Sequence, residues 1–254
     1  MEGFDQTIAR MQRVVEGCQE REDRAGYFAA MYLAVTRTIR ARSEAGMFED
    51  GERMERFAAL FAARYLDAEA AWRRGEPLTA SWRAALDTST RWRPVILQHL
   101  LLGVNAHVNL DLGVTAATVR GAGPIDAIRA DFDAINDVLA DLVDRCQGAL
   151  GQVSPWLDWC DRIAASHDEA LINFSLRRAR AHAWSVAVRL APLTGDALTA
   201  EIGRIDAATA GVAHAVAHPG IAGSAVLLAV RLRERAAPSR VIEVLAAASP
   251  PLRT

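Results

Sequence analysis

The chain has 254 residues, 51% of them hydrophobic, and a formal net charge of −2. That composition supplies ample core for one large domain, and the near-neutral charge gives no electrostatic basis for nucleic acid or an anionic membrane surface as a partner. All 29 basic residues are arginine, which excludes lysine Schiff-base chemistry, lysine-linked pyridoxal phosphate and a Walker-type phosphate loop.

The three cysteines, Cys18, Cys146 and Cys160, are scattered and form no CxxC pair. An odd, dispersed set of this kind fits reduced thiols in a cytoplasmic protein. The N-terminal run MEGFDQTIARMQRVVEG is charged and amphipathic and lacks the apolar stretch of a signal peptide. No run of about 18 uninterrupted apolar residues is present, so no membrane span is expected.

Taken in order, the elements read as helices throughout. Apolar side chains recur at three- and four-residue spacing over Phe4–Cys18, Gly26–Ala41 and Glu52–Trp72, with a charged turn at 43–53. Gly75 and Pro77 break the third helix, and a short helix covers Ala80–Leu86. Pro94 suits the first turn of the next, which extends to about Val119 and ends at Gly121, Gly123 and Pro124. Ile125–Leu150 is a long helix with Phe132, Ile135, Leu139, Leu142 and Cys146 on one stripe. Further helices are predicted over Pro155–Ser166, Asp168–Leu190, Asp196–His218, Gly223–Ala236 and Ser239–Ala247. Strand alternation and internal repeats are missing, and no linker is long enough to separate two units. The expected fold is all-α, a single helical bundle over residues 1–254.

The helix at 94–119 is the unusual one. Its segment PVILQHLLLGVNAHVNLDLG places Gln98, His99, Asn105, His107, Asn109 and Asp111 among leucines and valines. Buried polar groups without partners cost about 1–3 kcal/mol each, so these six require protein partners, a metal or a ligand. At about 100° per residue, with His99 at zero, Gly103, His107 and Asp111 fall at about 40°, 80° and 120°. Gln98, Asn105 and Asn109 cluster on another face at about 240–280°. His107 and Asp111 are neighbours one turn apart. An imidazole and a carboxylate so spaced bind a divalent cation together, or the carboxylate fixes the imidazole tautomer for acid–base work. His99 lies about 12 Å away along the axis, too far to share a metal. Gly103 leaves room either for a ligand or for a close helix crossing.

The next helix carries DFDAINDVLADLVD. Asp133, Asp137, Asp141 and Asp144 fit a solvated acidic face opposite Phe132, Ile135 and Leu139. A short Gly/Pro connection makes this helix an expected antiparallel neighbour of the polar one, with Asp133, Asn136 or Asp137 facing the polar groups across a pocket. Arg180 and Trp184, one turn apart in RRARAHAW, are expected to stack or to meet an anionic ligand. Trp92 and Arg93 stand at the entrance of the polar helix. His214 and His218 have zinc-helix spacing but no glutamate between them, and Pro219 marks a helix C-terminus there, where basic groups are favoured. Trp156 and Trp159 read as core, and His167 with Asp168 and Glu169 as a helix start. GxSxG, GxGxxG and Cys/His nucleophile patterns are missing.

Several runs carry resemblances. HLLLGVNAHVNLDL, DFDAIND, the FS with RARAHAW, GMFEDGERMERFAALFAARYLDA and the tryptophan of ASWRAAL together resemble a bacterial family catalogued as a domain of unknown function. That resemblance spans most of the chain and implies a helical cytosolic protein without a known activity. HVNLD, from His107 to Asp111, is similar to the HxxxD element of zinc phospholipase C and related helical nucleases, although their N-terminal tryptophan ligand and most of their histidines are missing. NDVLADLVD partly resembles the second magnesium motif of class I terpene synthases, with Asn136 matching, Ala140 failing and Asp144 substituting.

The function expected from these residues is that of a small-molecule enzyme with a metal-dependent, hydrolase-like reaction. His107 would be base or metal ligand, Asp111 its orienting partner or a second ligand, and His99 a further acid–base group. Asn105, Asn109, Asp133, Asn136, Asp137, Arg180 and Trp184 would bind substrate. The alternatives are metal-free cyclisation or isomerisation by the same acid–base groups, and a non-catalytic binding or scaffold protein with a structural polar network. Substrate and oligomeric state are not legible.

Overall fold

A computed structural model describes residues 3–121, 123–154 and 176–248. It is all-helical: no strand occurs among the described residues. Eleven helices follow one another as α1 (Phe4–Glu20), α2 (Gly26–Glu44), α3 (Gly51–Arg73), α4 (Ala80–Ser89), α5 (Ile96–Ala106), α6 (Leu112–Val119), α7 (Arg129–Gly151), α8 (Leu176–Leu190), α9 (Gly195–Ala217), α10 (Gly220–Arg231) and α11 (Pro238–Ala246). The predicted helix at Pro155–Ser166, with Trp156, Trp159 and His167, lies outside the described residues. The helix expected to start at Gly223 starts at Gly220, directly after Pro219, and stops at Arg231.

The outer helix α1 shows the stripe its sequence predicts. In α1 the buried positions are Phe4, Thr7, Met11, Val15 and Cys18, spaced three and four apart, and this face meets α2, α3 and α11. The central element is the rod formed by α5, the turn His107–Asp111 and α6. Its first half is covered by α2, α4 and α9, its second half by α3 and α8. By length and composition Ile96–Val119 is apolar enough to cross a membrane, but 72% of its most apolar 18-residue window is buried inside the bundle. Apolar residues all round a helix are what burial on every side requires.

The rod is not a straight α-helix. Over His107–Asp111 the backbone widens into one π-turn, with the Leu112 N–H bonded to the His107 carbonyl five residues back. Such single π-turns inside α-helices occur frequently at functional sites. A constant step of about 100° per residue therefore holds up to Ala106 and not through the turn.

Two glycines set how closely the rod is approached. A Cβ on Gly103 would stand 2.5 Å from the Phe28 ring, and one on Gly113 would stand 2.5 Å from Val186 and 2.8 Å from the Ala183 carbonyl. Both mark close helix crossings, of α5 with α2 and of α6 with α8. Gly113→Ala gains about 1 kcal/mol of helix propensity, yet the added methyl meets backbone that cannot retreat. We expect a net loss of about 1–3 kcal/mol, read as a lower urea midpoint at unchanged m-value.

Carboxylates distant in sequence close several helix N-termini, where backbone N–H groups have no intrahelical acceptor. Glu55 accepts from the Phe4 N–H at 3.0 Å. Asp206 of α9 accepts from the Ala80 and Ser81 N–H groups at 2.7 and 2.9 Å and from the Ser81 hydroxyl at 2.6 Å. Glu234 accepts from the Ile96 N–H at 3.1 Å and from the Ser154 hydroxyl at 2.6 Å. Glu22 accepts from Ser239 N–H at 2.8 Å. Asp131 of α7 receives the Glu49 N–H at 2.7 Å and Arg53 at 2.6 Å. These pairings stitch the bundle together across long stretches of sequence and fix α4 and α5, the two helices that present Trp82 and His99.

Candidate functional site

The π-turn aims His107 and Asp111 at α2, α3 and α4. Asp111 is 1% exposed and accepts three hydrogen bonds: from Arg64 Nε at 2.6 Å, from Trp82 Nε1 at 2.8 Å and from His107 Nδ1 at 3.2 Å. Two of these donors are side chains from other helices, so the carboxylate is compensated in both charge and hydrogen bonding. Three of its roughly four acceptor positions are taken by protein donors. A metal shared with His107 would have to break the hydrogen bond between the two side chains, and no group of three or more His, Cys, Asp or Glu capable of holding a metal occurs among the described residues. Of the two roles open to the pair, the geometry fits tautomer control.

With Asp111 accepting at Nδ1, the network assigns the proton of the neutral ring to that nitrogen. Nε2 is then a bare acceptor, and it is buried without a partner. The ring is stacked on Phe61, with centroids 3.6 Å apart and planes 7° apart, and Tyr32, Phe28, Trp82 and Tyr65 surround it at 4.4 to 6.4 Å. Burial in this aromatic box drives the His107 pKa below its ordinary value, against the pull of Asp111.

His99 lies on the other side of part of the same box. It is 6% exposed, its ring meets Tyr27 edge-on at 5.7 Å, and neither ring nitrogen has a hydrogen-bond partner. Burial, then the fields of Arg24 and Arg231, push its pKa down to about 3; the nearby Pro94 carbonyl and Asp23 act weakly the other way. His99 is therefore neutral at pH 7. It is among the residues lining a cleft, with Arg24, Phe28, Tyr65, Trp82 and Ser89. The inner end has room for an ordered water and little more. Phe28, Tyr65 and Trp82 thus form one wall whose two sides face His99 and His107. The Tyr65 hydroxyl is buried and unpartnered as well. Phe28 rests on Gly103 and fills the gap that the glycine leaves.

The remaining expected site residues separate from this centre. Asn109 donates to Asn105 at 2.8 Å, Asn105 donates to the Thr209 carbonyl at 2.9 Å, and Gln98 donates to the Val216 carbonyl at 2.8 Å. The amide stripe binds the backbone of α9, so Asn105 and Asn109 do not face His107. Among the described residues, α7 packs on α2 and α11 and α6 chiefly on α8, while Phe132 and Ile135 of α7 join Leu112, Ala116 and Val119 of α6 in one hydrophobic cluster after the 3-10 turn at Ile125–Ile128.

Asp133 sits at the surface, paired with Arg129 at 2.5 Å. The side chains of Asn136 and Asp137 lie outside the described residues. Arg180 and Trp184 do not stack on each other. Arg180 is buried, donates to the Phe132 carbonyl and covers the Phe132 ring at 4.5 Å, and burial lowers its pKa to about 10. Trp184 meets Phe132 at 5.1 Å and carries Arg129 over its face at 4.6 Å. These residues join α8 to α7 at a separate place from His107. Trp92 is half exposed and packs against Arg231, which donates to its carbonyl at 2.7 Å. His214 and His218 are exposed, stacked at 4.5 Å at the end of α9, with His218 Nδ1 3.1 Å from the His214 carbonyl.

Arg64, Trp82, Tyr65 and Arg24 were not singled out by residue type and spacing. Trp82 is the tryptophan of ASWRAAL. Arg64 sits on the buried-aromatic helix that carries Phe57, Phe61 and Tyr65. The demand of Asp111 for a counter-charge was the available signal, but it names no particular arginine.

Comparison with known proteins gives a match over residues 4–219 to the model of a family of unknown function, DUF5995. No curated protein and no solved structure matches the chain.

Proposed function

The chain belongs to DUF5995, a family of unknown function, and we propose on the geometry of this site that it is a small-molecule enzyme working by acid–base chemistry in the His99 cleft. The observation that carries the reading is His99, a residue that lines a cleft and whose two ring nitrogens are buried without a hydrogen-bond partner. Buried polar atoms without partners are uncommon and costly, and they concentrate where a ligand completes the set. Tyr65, whose ring lines the same cleft, has a buried and unpartnered hydroxyl of its own, and His107 Nε2 lies behind the aromatic wall.

In this reading the neutral His99 takes a proton from the bound molecule and returns it at another atom. Asp111 and His107 are positioning residues, since Asp111 holds Trp82 and Trp82 forms the cleft wall. Proton removal and return at different atoms is isomerisation or cyclisation, with no oxidant, reductant or net proton required. The metal-dependent reading finds less support because the Asp111 oxygens already have donors.

The test is a search for products of unchanged mass. A small-molecule extract is incubated with wild type, with His99→Gln and with wild type in a metal chelator, and is followed by chromatography and mass spectrometry. Expected is an isomer that accumulates with wild type and with the chelated protein but not with His99→Gln. No time-dependent conversion by wild type, or equal conversion by a folded His99→Gln, overturns the proposal.

A further inference from the structure

Helix α10 turns an apolar line to the solvent. It carries no charged residue before Arg231, and among the described residues it is the one helix without an extensive contact to another. At about 100° per residue, with Ile221 at zero, Ala225, Leu228 and Leu232 fall at about 40°, 340° and 20°. Val230, its buried position, falls at about 180°. The line of four therefore points away from the protein: Ile221 is 94% exposed, Leu232 61% and Leu228 39%. Apolar residues on every side belong to a buried helix, so an outward apolar line of this length marks a contact surface.

Arginines frame the C-terminal end of that line. Arg231 lays its guanidinium over the Trp92 ring at 5.1 Å and donates to the Trp92 carbonyl at 2.7 Å and the Glu234 carbonyl at 3.0 Å. These contacts hold residues 91–93 beside the end of α10. Trp92 is half exposed, and Arg91, Arg93, Arg233 and Arg235 are exposed in the same two segments. The carboxylate of those segments, Glu234, is turned inward to the Ile96 N–H and the Ser154 hydroxyl. The net charge of −2 for the whole chain thus conceals a local excess of positive charge next to exposed aliphatic and indole side chains.

We propose that this face docks on an anionic lipid bilayer, with Ile221, Leu228, Leu232 and Trp92 entering the headgroup and outer acyl layer and the arginines on lipid phosphates. The chemistry of the patch selects this partner. A second copy of the chain across a twofold axis would bring the arginines against their own copies, which is repulsive. Nucleic acid would use the arginines and Trp92 and leave the aliphatic line in water. An anionic bilayer answers both: arginine stems lie along apolar surface while their heads reach phosphate, and an indole suits the interface. The contact is peripheral, because the 12 residues of α10 extend about 18 Å against a hydrocarbon core of about 30 Å.

The test is co-sedimentation of the full chain with vesicles of phosphatidylcholine alone, or of phosphatidylcholine and phosphatidylglycerol in equal parts. Expected is binding to the mixed vesicles, weakened by added salt, and little binding to phosphatidylcholine alone. Arg91→Gln/Arg93→Gln/Arg233→Gln is expected to bind the mixed vesicles about a hundredfold more weakly, at about fivefold per arginine. Ile221→Ser/Leu232→Ser is expected to bind about tenfold or more weakly at unchanged charge. Both variants should unfold at the wild-type urea midpoint, because the replaced side chains are exposed. Wild type that stays in the supernatant, equal binding to both vesicle types, or full binding by either variant overturns the proposal. So does a urea midpoint well below wild type for Ile221→Ser/Leu232→Ser, which would mean that the chain itself covers this face. A lipid-free dimer that the same variant abolishes, or binding of single-stranded DNA in place of vesicles, overturns it as well.

Discussion

Asp111→Ala is expected to cost about 3–5 kcal/mol of stability, the largest effect of any single side-chain truncation in the site. The substitution leaves the Trp82 Nε1–H without an acceptor in a residue that is 2% exposed, and leaves His107 Nδ1 equally bare. Each orphaned donor costs about 1–3 kcal/mol. Arg64 adds less, since its side chain is 31% exposed and turns to water once released. Removing Arg64 is the opposite case: Arg64→Ala leaves the Asp111 charge in the core without its cation, while Trp82 and His107 still donate to it. The double variant should therefore be less destabilised than the two single effects added together. Urea unfolding at pH 7.5 of the four proteins closes this cycle, with near-ultraviolet circular dichroism reporting Trp82. Strictly additive losses, or a loss below about 1 kcal/mol for Asp111→Ala, would show that the network contributes little.

The same network explains why the site was only partly legible. Helix stripes such as Phe4, Met11 and Val15 are local, and three- to four-residue spacing reveals them. His107 and Asp111 belong to the same class, since one turn separates them in any helix. The π-turn between them is not visible in that spacing, because nothing in HVNLD distinguishes five residues of wider helix from five of α-helix. Arg64 and Trp82 are 47 and 29 residues from Asp111, and a sequence with arginine at every basic position offers many equivalent counter-charges.

The amide stripe failed as a substrate site for a different reason. Asn105 and Gln98 are satisfied by the Thr209 and Val216 carbonyls, and a backbone carbonyl leaves no mark in sequence. The carboxylate caps contributed by Asp206 and Glu234 are hidden in the same way, because a remote acceptor replaces the local capping residue that a reader looks for. His99 differs. Its polarity on an apolar helix was visible, and what the fold adds is that neither ring nitrogen finds a well-formed hydrogen bond, the Pro94 carbonyl being only nearby.

That missing answer has a consequence in acid. His99 has an ordinary pKa of 6.5 and a folded one of about 3, so between these values the unfolded chain binds a proton that the folded chain does not. Stability then rises with pH, and acidification below 6.5 favours unfolding by about 1.4 kcal/mol per pH unit from this one residue. At pH 5 the loss from His99 alone reaches about 2 kcal/mol. His107, also held below its ordinary value by burial, acts in the same direction. Carboxylates elsewhere titrate lower and overlap the curve, so the informative quantity is a difference between two proteins. His99→Leu keeps the volume, removes two unsatisfied nitrogens and abolishes this proton linkage. At pH 7.5 it should match or exceed the wild type, by up to about 1–3 kcal/mol. At pH 5 its advantage should widen by about a further 2 kcal/mol. Urea midpoints at the two pH values measure the gap directly. Parallel pH dependence of the two proteins would mean that His99 is protonated or solvated in the fold. A more stable variant that has lost the isomer-forming activity would show that the wild type keeps a costly imidazole for what it does in the cleft.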